Sequence, residues 1–276
     1  MKNISTKIAA VAFVLFAATP ALAGKGGSAQ RIRDAVSSTS IDAITAEVER
    51  AESLMCPDCV PIVTNLLEDN RYEVREVAAW WFAKRPGLKD MMVPGFLEDL
   101  KSGNTIAVRN AADFLGRTMT FTSLPALRDA IKRDVGADGK LALVRAVKYM
   151  GHRSGNPVLL SAMTDQDAGV RAAAVSAYRD IRGQSDATPI IGMLSDSAGN
   201  VRAEAATVAG GMRAVAAVGA LENIVVSDAD PVARRNAAWA LGRIGSASSR
   251  DALTKATLDK SSIVSGVAKA SLSTLH

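Results

Sequence analysis

The chain has 276 residues and a formal net charge of +5, and 48% of its residues are hydrophobic while only 4% are aromatic. Ala, Val and Leu therefore carry the core, which suits closely packed helices, argues against an all-β fold and excludes a short disordered chain. The first 23 residues contain two lysines and no acid, so the rest of the chain carries +3 (5 − 2), too little to favour nucleic-acid binding.

The first segment has the pattern of a secretory signal. Lys2 and Lys7 precede an apolar run over residues 8–18, and the small-residue site Ala21-Leu22-Ala23 follows it. A membrane-spanning helix needs about 20 apolar residues, so this short run favours a signal peptide over an anchor. We therefore expect a periplasmic or secreted protein that is cut after Ala23.

The domain organisation follows from that cleavage. Residues 1–23 are predicted as the signal peptide, residues 24–30 as a flexible Gly-rich leader, and residues 31–276 as one repeat domain. No later segment is predicted to span a membrane.

Two markers recur along the chain with a period near 32 residues, which is typical of helical hairpins. Small-residue pairs stand at Ala78-Ala79, Ala111-Ala112, Ala146-Val147, Ala174-Val175, Ala205-Ala206 and Ala237-Ala238. Prolines stand at Pro61, Pro94, Pro125, Pro157 and Pro189. Because proline is tolerated in the first turn of a helix, each proline is predicted to open the second helix of a hairpin. The small pairs lie on the first helices and let neighbouring helices approach closely.

The predicted helices follow in chain order. First helices are expected over 41–54, 73–84, 105–116, 139–150, 168–181, 200–210, 231–243 and 262–273. Second helices are expected to open near Val60, Val93, Leu124, Asn156, Thr188, Ala216 and Ser249. One hairpin cannot bury both of its faces, so the hairpins must stack. The fold predicted is an all-α solenoid (superhelix) of about seven hairpins with a C-terminal capping helix over 262–273.

A third marker joins successive hairpins, because an Asp precedes an Arg by six residues at four places. These are Asp69 with Arg75, Asp165 with Arg171, Asp196 with Arg202 and Asp228 with Arg234. We expect a structural ladder in which each Asp caps the next helix and pairs with its Arg. An arginine stripe that binds an anionic ligand is the less favoured alternative.

Three segments resemble a known family. DAGVRAAAVSAY, NVRAEAATVAGG and DPVARRNAAWALGRIG, which begin at Asp167, Asn200 and Asp230, are similar to the short HEAT repeats of the bilin-lyase-like group. The resemblance extends over about 41–275 and, with the signal pattern, indicates an exported bacterial form. It implies a scaffold whose concave face holds a partner, without indicating which partner.

Catalytic patterns are sparse. His152 and His276 are the only histidines, so neither a His-rich metal site nor a Ser-His-Asp arrangement can be assembled. We expect no cofactor, no metal and no enzymatic activity. The favoured function is a non-catalytic periplasmic scaffold or adaptor that binds another protein on its concave face.

Cys56 and Cys59 are the sharpest local feature. Two thiols three positions apart in an exported protein can close a small disulfide, worth about 2 kcal/mol by loop entropy. Haem attachment would need His where Val60 stands. A redox-active pair, a metal site and free thiols stay open as alternatives.

Large apolar side chains cluster in the first hairpins. The candidates for contact with a partner or an apolar ligand are Trp80, Trp81, Phe82, Met91, Met92, Phe96, Phe114 and Phe121, with Trp239 at the position equivalent to Trp80. Other hairpins carry Asp113, Lys148, Ser176 and Thr207 at that position, which indicates a solvent side. The simplest interpretation is that most of the cluster fills the core. The alternatives are an anchor for a protein partner and a groove for a lipid-like molecule, which would make the protein a carrier or sensor.

Overall fold

The computed structural model describes residues 27–275, with side chains from Ala29 onward, and within that range it contains sixteen α-helices and no strand. The predicted signal peptide and residues 24–26 lie outside the described residues. Helix α1 (Gly27–Ser38) includes residues 27–30, which corrects that part of the predicted leader. Burial of Ile32 stabilises this helix, because α1 packs on the two helices that follow.

First and second helices alternate through the rest of the chain. The first helices are α2 (Ile41–Arg50), α4 (Tyr72–Ala83), α6 (Thr105–Arg117), α8 (Gly136–Met150), α10 (Ala168–Arg179), α12 (Gly199–Gly211), α14 (Pro231–Ile244) and α16 (Ser262–Leu272). The second helices are α3 (Cys59–Leu66), α5 (Pro86–Lys101), α7 (Leu124–Ala130), α9 (Asn156–Ala162), α11 (Thr188–Met193), α13 (Val218–Ser227) and α15 (Arg250–Ala256). Seven hairpins and a final helix confirm the predicted all-α solenoid. The helices form two compact units, α1 to α8 and α9 to α16.

The second helix of the second hairpin begins at Pro86 and not near Val93, so the predicted opening there is wrong. Pro86 occupies the first turn of α5, where a missing N–H costs nothing. Pro94 lies inside α5, where it has no N–H to donate to the carbonyl of Asp90, one turn earlier. Both residues are exposed. Water can hydrate that carbonyl, so α5 continues through the proline.

Small residues bring consecutive first helices into backbone contact within each unit. A Cβ placed on Gly116 of α6 would lie 2.4 Å from the Cα of Ala146 in α8. One placed on Gly210 of α12 would lie 2.7 Å from the Cα of Ala240 in α14. Larger side chains at these contacts would force the helices apart, which agrees with the close approach predicted from the small-residue pairs.

Arginines near the start of the first helices in the second unit connect the turn before each hairpin to the turn after it. One guanidinium nitrogen of Arg202 donates to the backbone carbonyls of Asp196, at 2.7 Å, and Ser197. Its Nε and other Nη donate to the carboxylate of Asp228 at 2.6 and 2.7 Å. Arg171 repeats this arrangement with the carboxylate of Asp196, and Arg234 with that of Asp259.

The ladder therefore exists, but its predicted side-chain pairs are wrong. Arg171, Arg202 and Arg234 reach only the backbone carbonyls of Asp165, Asp196 and Asp228, and Arg75 reaches that of Asp69. The interval of six residues brings the Arg over the turn that precedes its helix. Its long side chain then extends to the turn that follows the second helix of the same hairpin. The predicted caps are also displaced, because Asp196 and Asp228 accept from the N–H two residues later, as in an Asx turn.

Candidate functional site

Four of the predicted contact residues fill the core of the first unit. Trp81, Phe82, Phe96 and Phe114 are at most 2% exposed. The rings of Phe96 and Phe114 stack with centroids 4.2 Å apart, and Phe82 meets Phe114 and Trp81 edge-on. A protein partner cannot reach rings that enclose one another, which corrects the contact prediction for these four and favours the core interpretation.

The remaining candidates are accessible but scattered. Met91, Phe121 and Trp239 are exposed, whereas Trp80 and Met92 are half-buried. They lie on α4, on α5, on the 3-10 turn Phe121–Ser123 and on α14. At the position equivalent to Trp80, α6 carries Asp113, whose carboxylate is buried between two arginines. The prediction that this position faces solvent is therefore wrong in α6.

A cavity of about 550 Å³ opens on the first-helix face of the first unit, meaning the side of the first helices that carries their exposed residues. Four carboxylates line this acidic cavity, from Asp42 and Glu49 of α2 and Glu73 and Glu76 of α4. Tyr72, Tyr149, Ile41, Thr45 and Ala46 complete the lining, so no lysine or arginine belongs to it.

Two tyrosines close one side of the acidic cavity. The hydroxyl of Tyr72 in α4 lies 2.8 Å from that of Tyr149 in α8, and Tyr149 also lies 3.5 Å from the carboxylate of Glu76. Burial is the main cause that raises the pKa of Tyr72. Helix α6 is the first helix that lies between α4 and α8 in the chain. Side chains of α4 and α8 nevertheless meet in front of α6, so the first-helix face is concave here.

Arginines hold both tyrosine rings in place. The guanidinium carbon of Arg145 lies 4.4 Å from the ring centroid of Tyr72, and that of Arg117 lies 5.5 Å from the ring centroid of Tyr149. Arg145 also binds the buried Asp113 at 3.0 Å, and Arg117 pairs with Glu76. These ion pairs and cation–π contacts fix the ring positions before any partner arrives.

A second cavity, of about 430 Å³, lies on the first-helix face of the second unit. Trp239, Arg213 and Arg243 line it, together with Gly242, Val267, Ala270, Ser271 and Thr274. The guanidinium carbon of Arg243 lies 5.9 Å from the ring centroid of Trp239. This basic cavity contains an exposed tryptophan, the residue type most enriched among interface hot spots.

The third cavity is an apolar groove of about 350 Å³ beside the predicted disulfide, which the structure contains. Cys56 and Cys59 fasten the connection between α2 and α3. The groove is lined by Leu54, Met55, Cys56, Pro57, Val60, Trp81, Arg85, Pro86, Gly87 and Leu88. Arg85 stands 3.5 Å above the Trp81 ring and donates to the carbonyls of Ala51 and Glu52. A lipid-like ligand would therefore have room here and not inside the aromatic core.

Sequence reasoning missed the acidic cavity, although a signal for it was present. Helices α2 and α4 carry the carboxylates Asp42, Glu47, Glu49, Glu73 and Glu76. Helices α14 and α16 carry Arg234, Arg235, Arg243 and Lys269 and no acid. The first helices thus change from acidic to basic along the chain, a trend that the small net charge conceals.

Within residues 27–275, no three His, Cys, Asp or Glu side chains are grouped so that they could hold a metal ion. No helix in the described part of the chain combines the length and the apolar character needed to cross a bilayer.

Residues 188–273 match the family model for HEAT repeats. This part of the chain consists of HEAT repeats. No curated protein has a matching sequence. The Escherichia coli protein YibA has a similar structure over 93% of this chain and 98% of its own, with a TM-score of 0.55 and 14% identity, a likeness of fold alone.

Two further structures show weaker similarity, each at 18% identity and a TM-score of 0.39. Human deoxyhypusine hydroxylase is covered over 96% of its chain and 90% of this one. The complex of CpcE and CpcF of phycocyanin lyase from a Nostoc species is covered over 98% of the matched chain and 94% of this one. Scores this low carry no argument. The HEAT-repeat prediction is confirmed over residues 188–273 by the family model, and the bilin-lyase-like group stays a prediction.

Proposed function

We propose that this HEAT-repeat protein is a non-catalytic, exported adaptor that binds a protein partner on its first-helix face. The contact between Tyr72 and Tyr149 carries the proposal, because it makes that face concave in the first unit beside a cavity of about 550 Å³. Stacked helical repeats form extended binding surfaces of this kind. Export to the periplasm is supported by the signal pattern over 1–23.

Exposed aromatic residues on first helices of both units support a protein partner. Tyr149 and Trp239, on α8 and α14, are each 39% exposed. Tyrosine and tryptophan are enriched at protein interfaces, where they combine a large apolar area with a polar atom. Both stand beside cavities, so a partner's side chains could pack against their rings.

Site-specific photo-crosslinking tests the adaptor proposal. A photoreactive phenylalanine analogue replaces Tyr149 or Trp239 in the full-length protein, expressed in its own host. Matched controls replace Leu160 of α9 and Val226 of α13, which are 41% and 47% exposed on second helices. We expect one discrete adduct from each first-helix position and none from the controls. Adducts of equal yield at all four positions, or none at Tyr149 and Trp239, would refute the proposal, and a specific turnover by the purified protein would refute its non-catalytic part.

The apolar groove favours a second candidate function, a carrier or sensor of an apolar small molecule. Its lining is almost entirely apolar and includes the buried Trp81, which supplies a fluorescence readout. The test is native mass spectrometry of the mature protein purified gently from its envelope fraction. A bound mass of a few hundred daltons that is lost in a Leu88→Glu variant would support the carrier. An unliganded mass and unchanged tryptophan fluorescence on lipid titration would exclude it.

A further inference from the structure

Most carboxylates of the acidic cavity lack a counter-charge. Glu76 pairs with Arg117, but Asp42, Glu49 and Glu73 form no side-chain hydrogen bond or ion pair with any described residue. All three are exposed. The side of α2 and α4 that lines the cavity is therefore an unpartnered helix face with three free negative charges.

The negative charge of this face is local. The whole chain is basic, with a net charge of +5, and the first helices α14 and α16 carry four basic residues and no acid. Charges separated by more than about 8 Å are largely screened at physiological salt, so a partner at the cavity experiences the nearby carboxylates and not the net charge.

The walls of the cavity suit long cationic side chains. Tyr72 and Tyr149 each already hold an arginine near one ring, which shows how cations associate with these rings in this protein. Lysine and arginine have apolar stems that pack on aromatic surfaces while the charged head reaches a carboxylate. A volume of about 550 Å³ lies within the range of ligand-binding clefts.

We infer that the acidic cavity binds a lysine- or arginine-bearing segment of a protein partner. The inference rests on the proposed adaptor function and specifies the chemistry of the partner at one site. Complementary charges of this exposed kind contribute modest affinity, raise the association rate and set the partner's register. Their signature is a binding constant that weakens steeply with salt.

Fluorescence anisotropy with two labelled peptides tests the charge preference of the full mature chain. One peptide has lysine at every third position with serine elsewhere, and the other has glutamate in place of lysine. The test variant combines Asp42→Asn, Glu49→Gln and Glu73→Gln. The control variant combines Asp90→Asn, Glu98→Gln and Asp129→Asn, which removes the same charge from side chains 68%, 72% and 71% exposed on second helices.

We expect the lysine peptide alone to bind the unmodified chain, and to bind less tightly as salt rises. The test variant should lose about tenfold in affinity, since each exposed pair contributes about a factor of two, and the control less than twofold. Equal losses of affinity in the two variants would overturn the inference, because binding would then depend on the net charge of the chain and not on the cavity. Equal binding of the glutamate peptide, or no binding of the lysine peptide at low salt, would overturn the inference.

Crosslinking separates this inference from the adaptor proposal. The photoreactive group at Tyr149 is introduced into the test and control variants. Loss of the partner adduct in the test variant alone supports a basic partner segment. An adduct of unchanged yield in the test variant overturns the inference and leaves the adaptor proposal standing, whereas no adduct from any first-helix position of the unmodified chain refutes the adaptor. An adduct between two copies of this chain overturns the inference, because a second copy would then occupy the cavity.

Discussion

Replacing Gly210 with alanine measures how closely the first helices of the second unit approach each other. The new Cβ would lie 2.7 Å from the Cα of Ala240, 2.8 Å from its Cβ and 2.8 Å from a ring carbon of Trp239. Backbone atoms cannot rotate away from such a contact, so α12 and α14 would have to separate by several tenths of an ångström.

The expected effect is the difference between two terms. Alanine in a helix is favoured over glycine by about 1 kcal/mol. Overpacking of a close contact costs about 1 to 3 kcal/mol, with the upper end expected where backbone atoms collide. The net result should be a destabilisation of about 1 to 2 kcal/mol, which lowers the unfolding temperature by roughly 2 to 8 °C for a chain of this size.

Gly266 provides the matched control because it is exposed inside α16 and an added Cβ would meet no atom within 4 Å. Gly266→Ala should therefore stabilise the same unit by about 1 kcal/mol. Urea and thermal unfolding of both variants, followed by circular dichroism, give the comparison. If both substitutions raised the midpoint by similar amounts, the close approach of α12 and α14 would be refuted.

Three further predictions concern the ladder, the disulfide and the facing of the first helices. Asp228→Asn should destabilise by about 1 to 3 kcal/mol, because it weakens the part-buried pair with Arg202. Hydrogen bonds from Arg202 hold the pKa of Asp228 below its usual value, so the stability that this carboxylate contributes is present above its unfolded pKa, near 4, and is lost as the pH falls through the folded value. Acid unfolding should therefore be shallower in Asp228→Asn, and an unchanged pH profile would contradict the ladder. Replacing both Cys56 and Cys59 with serine should cost about 2 kcal/mol in urea unfolding, and no loss would show that the bond stabilises nothing. Ala205→Glu should cost several kcal/mol because it buries a charge between helices, whereas the exposed Trp239→Ala should cost less than 1 kcal/mol; equal losses in thermal unfolding would show that the facing assignment is wrong.

The hairpins could be predicted from the chain because their signals are local. A proline in the first turn of a helix and a small residue at a helix contact each act within one or two turns, and they recur with the repeat. All eight first helices begin within three residues of their predicted starts. The exception among the second helices, α5, arose where Pro86 supplied an earlier start than Pro94.

The partners of individual side chains could not be predicted in the same way. The spacing of Asp196 and Arg202 indicated a ladder, but the side chain of that arginine pairs with Asp228, at the far end of its own hairpin. The sequence favoured a core position for Trp81 and Phe82 but left a groove open until the position of Phe114 was known. Each of these outcomes depends on contacts between helices that are distant in the chain.

Local patterns in the chain were enough for the helices, their alternation and the disulfide, since those depend on backbone geometry and on residues a few positions apart. The acidic cavity, in contrast, forms only when α4, α6 and α8 pack against one another. Tyr72 and Tyr149 are separated by 77 positions, and their hydroxyls meet at 2.8 Å because close contacts such as that of Gly116 with Ala146 draw the first helices together. The face on which we place the partner is thus a product of packing distances between hairpins, which no single hairpin contains.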